Sequence, residues 1–175
     1  IEQISDAMAK QIDTDLAAEA DKTVFKTATA AVNAITSAEL QSGFDNFGDN
    51  VDTDTFAAIV INPRLRSAFA GMSEFVNTAL TYQTNGNGLV KNNIIGYYFG
   101  VPVICTANGT YDSAKAECKT YIVKKDALSY IFQKNIAYAE AYNPLLLATD
   151  ISASSLYAVK LLNETGIVVL RKTVV

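Results

Sequence analysis

The sequence contains no histidine, and this absence removes most of the side-chain chemistry on which enzymes depend. Histidine is the commonest general base, the commonest metal ligand and the usual partner of a nucleophilic serine or cysteine. The two cysteines, Cys105 and Cys118, are too few for a structural zinc site without histidine and too widely spaced for a redox pair. We therefore interpret them as reduced, semi-buried thiols.

Carboxylates are the remaining candidates for chemistry. Asp13 and Asp15 lie two positions apart in a predicted helix, so they point to different sides and do not converge. A second acidic group surrounds a loop and consists of Asp45, Asp49, Asp52 and Asp54. Its spacing does not match a calcium-binding loop, and we interpret it as a solvated acidic loop. The sequence thus predicts no catalytic residue, no cofactor and no metal site, and we expect that the protein is not an enzyme.

Composition narrows the remaining classes of function. The net charge is −4, whereas nucleic-acid-binding proteins normally present a basic face. No apolar run reaches the roughly 20 residues that span a bilayer, so we expect no membrane partner. The turn Asn85–Gly88 is followed by no Lys-Ser or Lys-Thr pair, which argues against a phosphate-binding loop. The classes of function that remain are a binding module and a structural, self-assembling protein.

Two of the predicted helices have clear sequence signals. An amphipathic helix extends from Ile1 to about Glu19, because apolar residues recur every three or four positions. These residues are Ile1, Ile4, Met8, Ile12 and Leu16. Thr36 and Glu39 form a capping-box pattern, which starts a short helix that reaches about Phe47.

The middle of the chain combines a buried strand, a third helix and a glycine-broken strand segment. Phe56–Ile61 is a continuous apolar run that predicts a buried strand. Asn62-Pro63 then starts a helix that reaches about Ala70. Asn93–Ala107 is predicted as strand with glycine breaks, and Pro102 places this segment at a sheet edge or a bend.

The last third of the chain is rich in strands and carries no recognisable catalytic residue. A period-two alternation from Ile136 to Tyr142 gives one strand face of large side chains and one of alanines. We expect the small face, which consists of Ala137, Ala139 and Ala141, to lie against the Ile4, Met8 and Ile12 stripe of the first helix. Two further strands are predicted at Ser155–Leu162 and Ile167–Arg171. Because helices do not alternate regularly with strands, the sequence predicts an α+β fold.

The order of these elements resembles that of the major capsid proteins of tailed bacteriophages, which have the Hong Kong 97 fold. Ile4–Ala20 looks like the long spine helix of that family, and Thr55–Met72 looks like the strand and helix of its axial domain. Asn92–Ala107 resembles a recurrent strand of the family. The carboxy-terminal run of the family is similar to Tyr121–Pro144 followed by Ser154–Lys172.

The resemblance implies a subunit with two lobes. The peripheral domain would comprise residues 1–21 and 133–156, and the axial domain would comprise residues 22–132 and 157–175. Copies would form pentamers and hexamers that tile the icosahedral head of a phage or prophage, and the packaged DNA would be enclosed without sequence-specific binding. The expected partners are other capsid subunits, and the expected locations are the virion capsid and, during assembly, the bacterial host cytoplasm.

Ring contacts between such subunits are expected on two loops, the acidic loop Gly48–Asp54 and the tip Gln83–Gly88. The interface candidates on these loops are Asp49, Asp52, Asp54, Asn85 and Asn87. Members of the family carry an amino-terminal arm and an extended loop before the spine helix, and here the spine helix comes first. We therefore expect this piece by itself to be a monomer or a small oligomer.

Two alternative functions stay open. The first, within the same fold, is an encapsulin-type compartment that encloses protein cargo. The second is a small α+β ligand-binding or enzymatic domain that uses the acidic loop to hold a metal ion.

Overall fold

The computed structural model of the chain describes residues 2–29, 34–76, 93–145 and 147–174. The helices are α1 Glu2–Ala20, α2 Ser37–Asp45, α3 Arg66–Ala70 and α4 Ser73–Val76, with short 3-10 turns at Thr53–Thr55 and Pro63–Leu65. The strands are β1 Phe25–Ala28, β2 Phe56–Ile61, β3 Ile94–Tyr98, β4 Val101–Cys105, β5 Tyr111–Asp112, β6 Glu117–Cys118, β7 Thr120–Lys124, β8 Leu128–Asn143, β9 Ala148–Leu161 and β10 Ile167–Arg171. The predicted α+β class is confirmed.

Helix α2 begins at the capping box that the sequence predicts. The Glu39 backbone N–H donates to the Thr36 side-chain oxygen at 3.3 Å. In return, the Thr36 N–H donates to the Glu39 carboxylate at 2.7 Å. These two bonds satisfy backbone donors that a helix leaves open at its start, and they aim the buried side chains of Leu40 and Phe44 at the sheet.

The main sheet has six strands in the order β1-β10-β7-β2-β4-β3. The pairs β1–β10 and β2–β4 are parallel, and the other neighbours are antiparallel. β4, which contains Pro102, therefore lies inside the sheet, so the expected edge position is wrong for this strand. Pro102 is tolerated there because β2 pairs with β4 only from Val103 onward. The expected bend lies just before it, at the turn Phe99-Gly100, where both residues have positive φ.

Each face of the six-stranded sheet carries its own apolar core. The larger core packs α2, α3 and α4 against one face, where its most deeply buried members include Leu40, Ile59, Phe69, Tyr98, Val103 and Ile122. The smaller core lies on the opposite face and contains Ala20, Tyr121, Ala127, Leu161, Ile167 and Val169. Because Ala20 ends α1 and Leu161 ends β9, this second core joins α1 and the long hairpin to the sheet.

Among the described residues, β8 and β9 pair only with each other and form a long antiparallel hairpin outside the six-stranded sheet. Its ladder extends from the Leu128–Leu161 pair to the Asn143–Ala148 pair, with register irregularities on either side of Lys134. The neighbouring strands β9 and β10 therefore belong to different sheets. In the part of the chain that the structure describes, no helix is long and apolar enough to cross a membrane.

Helix α1 lies along one face of the hairpin, but that face is not the predicted one. The Tyr138 hydroxyl is 2.7 Å from the Ser5 hydroxyl, whereas Ala139 and Ala141, which point the other way, are exposed. Alternate side chains of a strand point to opposite faces, so the expectation that the alanine face contacts α1 is wrong. Larger side chains are needed to bridge the space to a helix. The helix stripe itself was predicted correctly, since Ile4, Met8 and Ile12 are all half-buried.

Candidate assembly surface

The inner face of the β8–β9 hairpin is the face on which α1 lies. The Tyr157 hydroxyl donates to the Asp15 carboxylate at 2.5 Å. Near the other end of α1, Tyr138 contacts Ser5 at 2.7 Å. The hydrogen bond to Asp15 raises the pKa of Tyr157, because an ionised phenol could not donate to a carboxylate. These contacts fix α1 parallel to β9, with its amino-terminal end toward the hairpin tip.

The last turn of α1 is held to the base of the hairpin by Glu19. Its carboxylate pairs with Lys22 and accepts the Leu161 N–H at 3.4 Å. The hydrogen bond from Lys22 lowers the pKa of Glu19, and the Leu161 N–H adds to this effect. Near neutral pH, the Glu19 carboxylate is therefore ionised and bound to both Lys22 and the Leu161 N–H.

Three contacts connect α1 and Asp21, the residue that follows it, to the second face of the six-stranded sheet and to the loop before β5. Asp21 pairs with Lys119 and also accepts the Tyr121 hydroxyl at 3.3 Å. Burial and the neighbouring Asp21 charge raise the pKa of Tyr121 far above its ordinary range. Within α1 itself, the Asp13 carboxylate accepts a hydrogen bond from the Asn108 side chain at 2.9 Å. Asp13 and Asp15 therefore bind different partners, as their spacing predicted.

The carboxy-terminal end of β10 is fixed by a buried ion pair. Arg171 donates twice to one oxygen of the Glu117 carboxylate, at 2.9 and 2.6 Å, and the Thr173 N–H donates to the other at 3.1 Å. Glu117 is fully buried. Burial by itself would raise its pKa, but the three hydrogen bonds outweigh burial and the pKa is lowered. The pair therefore holds the small β5–β6 hairpin against the sheet.

The outer face of the β8–β9 hairpin, opposite α1, has no described element packed on it. The ladder register places Ile131, Lys134, Leu156 and Lys160 on this face, together with the small side chains of Ala137, Ala139, Ala141, Ser152, Ser154 and Ala158. Ile131 is 68% exposed and Leu156 is 53% exposed. Apolar side chains that far from any core indicate a contact surface.

The rest of the hairpin is also unusually apolar for an exposed element. Its exposed large side chains on or near the inner face and at the tip are Tyr130, Phe132, Ile136, Tyr138, Tyr142, Leu145, Leu147 and Ile151. An isolated two-stranded hairpin is marginally stable in water and needs a third layer. Helix α1 supplies that layer on one face and leaves the tip and the outer face open.

The interface candidates predicted from the acidic loop are exposed. Asp49, Asp52 and Asp54 all face solvent, and the Asp52 carboxylate accepts the Asp54 N–H at 3.2 Å, which caps the 3-10 turn. The structure places this loop beside Lys124, whose ammonium donates to the Asn50 carbonyl, at the end of the sheet from which β8 departs. The other two candidates, Asn85 and Asn87, lie outside the described residues, and so does the tip Gln83–Gly88.

An apolar cleft of about 450 Å³ opens next to the acidic loop. Phe44, Phe56 and Val101 line it, and the exposed Val51 and Phe99 stand at its edge. Within the described part of the chain, no group of three or more acidic, histidine or cysteine side chains is arranged to hold a metal ion. Neither Cys105 nor Cys118 is in a disulfide with another described cysteine, and burial raises the pKa of each thiol.

Sequence reasoning missed the residues of the outer hairpin face. The alternation of β8 predicted two faces, but it could not show which of them α1 would cover. Lys134 and Lys160 carried no signal by themselves, because exposed lysines are common. The signal that could have revealed this surface was the long alternation of apolar residues in β8. A single predicted helix can cover only one of the two faces of such a segment.

These features define a class of protein: an α+β chain whose prominent surface is an open apolar hairpin. No family model matches the sequence, and no curated protein matches it. Among solved structures, one from Mycobacterium phage Che8 superposes with a TM-score of 0.71 at 16% identity, over 95% of this chain and 60% of that one. A subunit from the mature capsid of bacteriophage PhiM1 gives a TM-score of 0.55 at 15% identity, over 83% of this chain and 50% of that one.

An encapsulin from Synechococcus elongatus is as similar to this chain as the PhiM1 capsid subunit is. Its TM-score is 0.55 at 14% identity, over 84% of this chain and 52% of that chain. The chain thus has the fold of a phage capsid subunit and of an encapsulin subunit, which confirms the resemblance at the level of the fold. It spans between half and two thirds of the length of these three structures.

Proposed function

We propose that this chain is the core of a structural shell protein, a major capsid protein of the Hong Kong 97 type. Copies form pentamers and hexamers, and these build the icosahedral head of a phage or prophage around DNA. The observation that carries the proposal is the open apolar hairpin on a chain with a capsid-subunit fold. An exposed apolar surface of this kind is typical of a protein–protein contact, which in a shell is made by other subunits.

A shell that encloses DNA does not need a basic surface that binds it. The net charge of −4 fits this role, because a mildly acidic shell does not hold the packaged polyanion to its wall. The subunit acts by shape and is not an enzyme. Its places of action are the virion capsid and, during assembly, the host cytoplasm.

The proposed subunit has two lobes, with the boundaries given above. Residues 1–21 and 133–156 make the peripheral domain, and residues 22–132 and 157–175 make the axial domain. The division is supported by the hairpin itself, because the first register irregularity lies between Phe132 and Lys134, at the proposed boundary. A β-bulge bends a strand locally, which suits a junction between lobes.

Negative-stain electron microscopy of the complete protein tests the proposal. We expect closed shells or five- and six-membered rings. A protein that remains monomeric at all concentrations would contradict it. The sizing profile of this chain by itself is expected to show a monomer or a small oligomer.

The encapsulin fold similarity supports a second candidate, a compartment that encloses protein. The contents of purified shells distinguish the two. Nuclease-protected DNA is expected for a phage head, whereas protein cargo without nucleic acid would favour the encapsulin function. The metal-binding alternative predicts that Ca²⁺ or Mg²⁺ raises the melting temperature, and no change is expected here.

A further inference from the structure

We propose that the outer face of the β8–β9 hairpin is the docking surface for helix α1 of a second copy of this chain. The inference rests on the proposed function and specifies one contact between neighbouring subunits. Each hairpin would then lie between two helices, its own α1 on the inner face and the α1 of a neighbour on the outer face.

The charges of the two surfaces are complementary. The outer hairpin face carries Lys134 and Lys160 against a single acidic residue, Asp150. The exposed surface of α1 carries the carboxylates of Glu2, Asp6 and Asp13 against a single basic residue, Lys10. Asp13 also accepts the Asn108 side chain, and the two remaining acidic residues of α1 bind Tyr157, Lys22 and the Leu161 N–H.

The three exposed carboxylates of α1 lie on one flank of the helix, with Lys10 beside them, and are spaced like their proposed partners. Glu2, Asp6 and Asp13 fall within roughly 40° of one another on a helix with 3.6 residues per turn, and Asp6 and Asp13 are about 10 Å apart along its axis. Lys134 pairs with Leu156, four residues before Lys160, so the two lysines are about 13 Å apart along the hairpin.

The shape of the outer face favours a helix. Small side chains between Lys134 and the tip leave a flat surface, and Ile131 and Leu156 project from it near the base. A helix can approach such a surface closely, and the exposed Ala9 of α1, a small side chain, lies within roughly 60° of the acidic flank.

Edge-to-edge pairing of strands is the competing arrangement, and the structure disfavours it. β8 has register irregularities on both sides of Lys134. Bulges and lysines are features by which proteins protect sheet edges from pairing with another chain. The proposed contact joins two different surfaces, so it is heterologous, the type of contact that closes rings.

Charge reversal in the complete protein tests the contact. One variant reverses the hairpin (Lys134→Glu with Lys160→Glu), and another reverses the helix (Glu2→Lys with Asp6→Lys). Each variant by itself places like charges at most of the proposed contacts, so we expect half-maximal assembly to need at least about tenfold more protein than the unmodified chain needs. Asp13 is left unchanged because it binds Asn108.

A chain that carries all four reversals is the decisive variant. Its acidic hairpin meets the basic helix of the neighbouring copy at each contact, in rings of five as well as six, so assembly is expected to return to within about threefold of the original. Light scattering and electron microscopy follow the assembly, and circular dichroism shows that each variant is folded. A matched control reverses Lys115 and Lys172, two exposed lysines away from the hairpin, and should assemble normally.

Each other outcome has a distinct meaning. If the unmodified protein assembles and both hairpin and helix variants assemble equally well, the inference is wrong and the proposed function stands. If the two folded double variants fail to assemble and the chain with all four reversals also fails, the two surfaces do not contact each other and the inference is again wrong. If the unmodified protein never assembles, the proposed function fails.

Discussion

Gly109, in the loop before β5, lies directly against Ala17 of helix α1. A Cβ atom placed on Gly109 would lie 2.3 Å from the Cβ of Ala17, and the φ of Gly109 is +68°. Only glycine combines this backbone conformation with this little space. The position of α1 on the second face of the sheet therefore depends on a single missing side chain.

Replacement of Gly109 should loosen α1 from the sheet. We expect Gly109→Ala to lower the free energy of unfolding by about 2–4 kcal/mol, since strain from positive φ and a steric clash add together. Urea unfolding of the complete protein measures this. Gly48→Ala is the matched control, because Gly48 also has positive φ but nothing lies within 4 Å of its Cβ position, and it should cost only about 1 kcal/mol. Equal effects of the two substitutions would contradict the steric argument.

The Glu117–Arg171 pair should make the free energy of unfolding depend on pH in the acidic range. The pKa of Glu117 is lower in the folded chain than its ordinary value of 4.5, so the unfolded chain binds the proton more tightly. This contribution is complete above pH 4.5 and is lost as the pH falls through the lower, folded-state pKa. Thermal melts between pH 7 and pH 2 should show the loss, and Glu117→Gln should reduce the acid dependence in that window. An unchanged pH profile in this variant would refute the assignment.

Removal of one partner of the same pair should be costly at neutral pH. Arg171→Met leaves a buried carboxylate without its cation, and we expect a loss of about 3–5 kcal/mol in the free energy of unfolding. The double variant Glu117→Gln with Arg171→Met removes both charges. It should therefore be destabilised less than the sum of the single variants, and a double-mutant cycle by urea unfolding tests this.

The Tyr157–Asp15 hydrogen bond should hold the hairpin to α1. Tyr157→Phe removes the donor and keeps the ring, so we expect a loss of about 1–2 kcal/mol. Hydrogen exchange of the β8 and β9 amides is the measurement, and exchange there should become faster while the β2 and β7 amides are unaffected. Tyr130→Phe is the control, because the Tyr130 ring is exposed. Equal exchange in the two variants would contradict this role.

The capping box at α2 should contribute a local and modest stabilisation. Thr36→Ala removes the side chain that accepts the Glu39 N–H, and we expect a loss of about 1 kcal/mol. Thr36→Ser is the control, since serine caps a helix equally well. Urea midpoints that fall equally in both variants would show that packing of the threonine methyl, and not the cap, is responsible.

The sequence by itself determined the parts of the structure that depend on neighbouring residues. The Thr36 capping box, the Asn62-Pro63 start and the apolar stripe of α1 each depend on residues within a few positions, so spacing was enough to place them. The absence of histidine was also evident from the sequence. The predicted order of helices and strands indicated the resemblance to a capsid fold, which the solved structures confirm.

Tertiary structure decided the relationships between distant residues. Glu117 and Arg171 are far apart in sequence, and no local pattern indicates that they pair. The strand alternation around Tyr138 defined two faces, but which one meets α1 depended on the fit of side chains between helix and hairpin. The same choice left Lys134 and Lys160 on the open face, because a strand has two sides and only the packed molecule determines which one a helix covers.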